Sequence, residues 1–149
     1  MPLEFDRLGI SFQYPDNWVL DEEDALSGGQ SVTVYSPGGG FWSVALHPRT
    51  ADPADMAEAA VDAMKQEYEE VEVEDAPQHV AGHDLVGYDL NFFYLDLTNT
   101  AQVRSLRAGR STLTIFCQAE DREFRRIHRV FEAMTTSLLG GLERLGYWD

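Results

Sequence analysis

Gly9-Ile10-Ser11-Phe12-Gln13-Tyr14-Pro15-Asp16-Asn17-Trp18 is the stretch from which the fold is read. Its first six residues alternate with period two, the spacing of a strand that buries one face. Pro15-Asp16-Asn17 is a turn signal, and Trp18-Val19-Leu20 resumes as a second short strand. Downstream, Asp21-Glu22-Glu23-Asp24 followed by Ser27-Gly28-Gly29 has no period and reads as a surface loop. Residues 31–35 and 41–46 alternate again as the arms of a hairpin. Between them Ser36-Pro37-Gly38-Gly39-Gly40 reads as a mobile loop with high backbone freedom. Four strands are therefore expected before the first helix.

That helix is expected over about 53–69. Asp52 is placed to accept bonds from free helix N–H groups, and Pro53 loses nothing at the first helical position. Met56, Ala60, Val61, Met64 and Tyr68 fall on one face. Glu70-Val71-Glu72-Val73-Glu74-Asp75 reads as an edge strand whose acids discourage pairing with another chain. Three strands follow, at about 85–97, 101–107 and 111–118, with Gly109 turning the last two. In the first of them Phe92 and Tyr94 face one way and Phe93, Leu95 and Leu97 the other, so covering layers are expected on both sides. A second helix is expected from Asp121 to Leu138, carrying Phe124, Ile127, Phe131, Met134 and Leu138 inward and stopped by Gly140-Gly141. The apolar tail, with Leu142, Leu145, Tyr147 and Trp148, is expected to strap onto the body or onto a second subunit.

The chain of 149 residues fits one domain, with a core at about 9–138 and a C-terminal strap at 139–149. The fold class is α+β: an antiparallel sheet between helices, in the order four strands, helix, three strands, helix. With 44% hydrophobic and 25% charged residues the chain is that of a folded protein despite a formal net charge of -15. The charge is uneven. Residues 1–100 hold 20 acids and 3 bases, residues 101–149 hold 6 acids and 8 bases. An acidic molecule without a basic stripe opposes approach to nucleic acid or to an anionic membrane surface. A mixed, acidic N-terminal sequence, no apolar run of the ~18–20 residues that span a bilayer, and a single cysteine point to the cytoplasm.

Residues 9–18 resemble the strand, Tyr-Pro turn and Trp of PsbP-like proteins, and the order of elements over about 9–138 resembles theirs. That superfamily includes the photosystem II extrinsic protein, the Ran-binding Mog proteins of nuclear import, and cytoplasmic chaperones for type VI secretion effectors. The resemblance implies a seven-stranded antiparallel sheet in an α/β/α sandwich, and protein binding rather than catalysis. Mog proteins are thought to meet Ran through acidic residues, and the chaperones to hold an apolar helical segment, often as dimers. It transfers no catalytic residue, cofactor or metal ligand.

The residues themselves agree with a non-enzymatic reading. His79 and His83 have zinc-like spacing, but Val80-Ala81-Gly82 between them is a turn, and no third ligand stands at a recognised distance. His47 and His128 read as packed or solvated. Cys117, within Thr114-Ile115-Phe116-Cys117-Gln118, reads as a small core hydrophobe. Gly38-Gly39-Gly40 lacks the Lys-Ser/Thr of a phosphate loop. The expected partner-binding residues are Asp21, Glu22, Glu23 and Asp24, the helical face of Arg122, Arg125, Arg126 and Arg129, and Trp148. The expected partner is another protein with a basic or apolar-helical surface, or a second copy of the chain. A second reading is a small-ligand binder with an aromatic pocket that involves Tyr35, Trp42, Tyr88 or Tyr94.

Overall fold

The period-two stretch at residues 10–14 forms a strand, but it leaves the main sheet. In the computed structural model, which describes residues 1–144, β2 (Ile10–Tyr14) pairs antiparallel with β1 (Leu3–Arg7) as a separate hairpin. Periodicity gives no strand at Leu3–Arg7, where only Phe5 is buried and the period-two signal is correspondingly faint. Phe12 lies against Phe5, Tyr14 and Trp42, and this hairpin packs onto the sheet beside the C-terminal helix. The Tyr14-Pro15 turn closes with Trp18 N–H donating to the Pro15 carbonyl at 3.1 Å, and the Trp18 ring meets the edge of Phe131.

The main sheet runs β3 (Val19–Asp21), β4 (Ser31–Tyr35), β5 (Phe41–Pro48), β10 (Ser111–Glu120), β9 (Leu97–Ala108), β8 (His83–Tyr94) and β6 (Glu72–Asp75), antiparallel throughout. β7 (Gln78–Val80) forms a short hairpin with the start of β8. Seven antiparallel strands on one path between helices is the arrangement expected. Three of them precede the helix at 53–67 and four follow it, where four and three were expected, because β2 leaves the sheet and the acidic edge strand joins it. The acidic segment 21–24 is not a loop: it ends β3 and begins the short helix α1 (Glu23–Leu26).

Two helices cover opposite faces. Residues paired across antiparallel strands share a face, and alternate residues change face. Trp42, Val44, Leu106, Leu113, Ile115 and Cys117 therefore form one surface, under α3 (Asp121–Arg144). Leu90, Phe92, Ala101 and Val103 form the other, under Ala57, Val61 and Met64 of α2 (Pro53–Glu67). Asp52 has extended backbone angles at the start of α2 but makes no side-chain cap; its carbonyl accepts the first bond, from Met56 N–H at 3.0 Å. α3 does not stop at Gly140-Gly141. Leu138, Leu139 and Leu142 are all buried, and that burial carries the helix through two poor helix formers. Leu145, Tyr147 and Trp148 lie outside the described residues.

The glycine-rich loop 36–40 is also more fixed than its composition suggests. Ser36 N–H donates to the Gly40 carbonyl, and Gly40 N–H to the Ser36 hydroxyl at 2.9 Å. That hydroxyl donates to the Glu123 carboxylate of α3 at 2.9 Å. A Cβ on Gly38 would fall 2.1 Å from the same carboxylate, so the loop takes glycine there to let α3 approach.

An exposed apolar hairpin tip and a polar cavity

Most of the acids at 21–24 serve the chain itself. Asp21 accepts from Glu23 N–H at 3.0 Å, Asp24 from Ser31 N–H and hydroxyl at 3.0 and 2.9 Å, and Glu22 lies 3.3 Å from Arg7. The Glu23 side chain makes no such bond or ion pair with another described residue. On α3, Arg122 lies 3.5 Å from Glu120, and Arg126 bonds the buried Glu123. Arg125 and Arg129 are exposed, with no hydrogen bond or ion pair to another described residue; Arg129 lines an open groove of about 520 Å³ beside Tyr14 and Met134. The Arg126 bond, then the Ser36 bond, hold the Glu123 carboxyl below its usual value against the opposing effect of burial.

Trp42 does not share a pocket with Tyr35 and Tyr88. Trp42 is wholly buried on the α3 face, whereas the strand register puts Tyr35 and Tyr88 on the opposite face, over different parts of the sheet. Likewise His79 and His83 lie on the two arms of the β7–β8 hairpin; His79 Nδ1 is 2.7 Å from Asp84. His47 bonds Thr114 at 3.0 Å, and burial lowers its pKa. Cys117 is buried, and desolvation pushes its thiol up to about 12. A thiolate nucleophile is disfavoured there.

Sequence reasoning missed the feature that stands out on the surface. β10 pairs with β9 only as far as Asn99, and β6 pairs with β8 only as far as Asn91. Beyond those residues the β8–β9 hairpin has no strand on either side among the described residues. Of the layers expected over both its faces, only Tyr68 from the α2 side reaches this end. Phe93 is 62% exposed, Tyr94 51%, Leu95 76% and Leu97 43%. Clusters of large apolar side chains in water, unlike scattered single ones, mark contact surfaces. The turn itself is strained, with Leu95 and Asp96 at φ of 53° and 63°. Asn-Gly is the preferred pair for such a two-residue turn. The expectation of one strand over 85–97 passes over it because Leu95-Asp96 is no such turn signal.

The tip adjoins the most acidic part of the chain. Tyr68, at the end of α2, rests on Phe92 and Tyr94 with ring centroids 4.4 and 5.6 Å apart. From Gln66 to Gln78 the sequence carries six carboxylates and no Lys or Arg, and all four residues of β6 are exposed. Further along the same face, Tyr88 has its phenol pKa raised by burial, then by Glu58 and Asp75.

A second feature is a cavity that opens to solvent past the exposed Glu132 and Thr136. With a volume of about 290 Å³, it separates α3 from β7, β9 and β10. Its walls include Ile115, Phe124 and Phe131, its floor Gln102, Arg104 and Cys117, and its rim His128 and Glu132, which are 3.3 Å apart. Arg104 is 8% exposed and donates to Gln78 at 3.0 Å, to the Tyr88 and Val103 carbonyls at 3.1 and 3.0 Å, and to Asp89 at 2.8 Å. Its cross-strand partner is Gly87, where a Cβ would fall 2.7 Å from Arg104 Cδ and 2.3 Å from the Val103 carbonyl. No group of three or more metal-ligating side chains occurs among the described residues.

No protein-family model matches the sequence, and no curated protein does. Solved structures do. The chain is similar to PsbP (CyanoP) of Synechocystis sp. PCC 6803, with a TM-score of 0.61, 14% identity, and 91% of this chain and 90% of that one covered. It is similar to the Ran-binding protein Mog1p of Saccharomyces cerevisiae at a TM-score of 0.59 and 13% identity, covering 97% and 93%. PA94 of Pseudomonas aeruginosa, a protein of unknown function, matches at 0.58 and 10%, covering 92% and 95%. The chain has the PsbP-like fold.

Proposed function

We propose that this protein is a non-enzymatic, cytoplasmic interaction domain that binds another protein through the β8–β9 tip and the acidic strand beside it. The observation that carries this reading is the contiguity of four exposed apolar residues, at 93–97, with the carboxylates of 67–75. Such a surface suits an amphipathic segment, helical or extended, with apolar side chains for the tip and Lys or Arg for the rim. It repels nucleic acid and anionic lipid. Mog1p, of the same fold, is a Ran-binding protein, which makes protein binding a precedent for this architecture.

The experiment is photo-crosslinking in native cells from a benzophenone amino acid at position 95, with position 62 on the exposed side of α2 as control. The expected result is one protein captured from 95 and not from 62, and lost when Glu69, Glu70 and Glu72 are changed to Gln. Equal capture from the two positions, or capture indifferent to those three charges, defeats the proposal. No helix among the described residues is long and apolar enough to cross a membrane.

A further inference from the structure

The surface facing α3 is apolar along β5 and β10, where Trp42, Val44, Leu113 and Ile115 point at the helix. On β9 it changes character, because the residues in register on that face are Gln102 and Arg104. Arg104 can lie flat there only because Gly87 has no side chain. Four of its five N–H groups are engaged, and holding β7 to β8 and β9 accounts for them.

Gln102 has no such account. Its carbonyl receives only the Cys117 thiol, a weak donor at 3.8 Å, and its amide N–H groups have no partner among the described residues. Gln102 is half-buried and its amide opens into the cavity, so its donors are free for a ligand that displaces solvent. A cavity of about 290 Å³ is at the small end of ligand sites, which suits a molecule with one ring.

We propose that this cavity binds a small uncharged carboxamide carried on one ring. The ring meets Ile115, Phe124 and Phe131, and the carbonyl accepts from the spare donors of Gln102 and Arg104. The amide N–H groups face the Glu132 carboxylate at the rim. Charge selects against the two obvious relatives of such a ligand. Arg104 is already neutralised by Asp89, so a carboxylate gains no free cation and meets Glu132. An ammonium has no acceptor for the donors of Gln102 and Arg104 and meets only Glu132 at the rim. This site is independent of the hairpin tip.

The test is a nuclear magnetic resonance titration of the full chain with benzamide, benzoate and benzylamine, each to about 10 mM, because so few heavy atoms bind weakly at best. Benzamide is expected to shift the Gln102 side-chain amide and Arg104 Nε–H signals saturably, with the other two at least about tenfold weaker. Thr136→Phe, at the exposed mouth, and Gln102→Met, in the floor, are each expected to weaken benzamide by at least about tenfold. Thr136 is a surface position, so that variant tests the site even if the floor variant fails to fold. No saturable shift means a cavity that holds only water and overturns the proposal. So does equal binding of the three probes, or benzamide binding that survives Thr136→Phe. A Phe93→Ser variant is expected to bind benzamide as the natural chain does, which separates this site from the crosslinking result.

Discussion

At Gly87 a single hydrogen in place of a methyl group decides where a buried cation sits. Gly87→Ala places a carbon within 2.3 Å of a backbone carbonyl that cannot retreat, and pushes the Arg104 stem off its four partners. The expected loss is about 2–4 kcal/mol in urea unfolding, combining overpacking with disrupted bonds to a buried charge. Cys117 gives a second residue-scale check: it lines the cavity, but with its thiol pushed up to about 12 almost none of it is thiolate at neutral pH, so it is expected to resist iodoacetamide until the chain unfolds. Glu123 gives a third. Its carboxyl is held low in the folded state, so the stability it contributes is present above its ordinary value near 4.5 and is lost as pH falls through the lower folded value. The stability gap between the natural chain and Glu123→Gln is therefore expected to be widest near neutrality and to shrink on acidification below about 4.5. A gap that stays constant in urea titrations across that range contradicts the assignment. The Arg126 partner of Glu123, three residues on, was within reach of the sequence, whereas the Ser36 partner lies 87 residues away in the chain and was not.

At the scale of elements, the β8–β9 hairpin trades regular turn chemistry for an apolar tip. Replacing Leu95-Asp96 with Asn-Gly puts glycine at one left-handed position and asparagine, which tolerates that conformation, at the other, and the expected gain is about 1–2 kcal/mol in thermal or urea unfolding. The same change removes an exposed leucine and is expected to lower crosslinking to the partner, so stability and binding move in opposite directions. In α3, Gly140 lies inside the helix, and a methyl group added there would meet nothing within 4 Å. Gly140→Ala is expected to stabilise by about 0.5–1 kcal/mol. Periodicity located α2, α3 and most strands correctly because each buries one face. It failed at the tip and at Gly140-Gly141 for one reason: local propensity does not report how far neighbouring elements extend.

Across the whole molecule, a net charge of -15 destabilises the compact state by self-repulsion, most strongly at low ionic strength. Raising NaCl from about 20 mM to about 300 mM shortens the Debye length several-fold and is expected to raise the melting temperature. Partner capture at the acidic rim is expected to fall over the same range, since attraction between exposed opposite charges is screened equally. A melting temperature insensitive to salt contradicts the picture of a strained acidic shell.

The amino-acid sequence by itself determined the fold class, the two covering helices, the acidic first hundred residues and the absence of recognisable catalytic spacing, because these depend on periodicity and composition. Tertiary structure alone decided which acids face outward and which close local turns. It also decided that β1 and β2 leave the sheet, that Phe93 and Leu95 lie in water, and that Gly87 makes room for Arg104. Those outcomes depend on where strands end relative to their neighbours and on distances between residues remote in the chain, and neither is written in a local pattern.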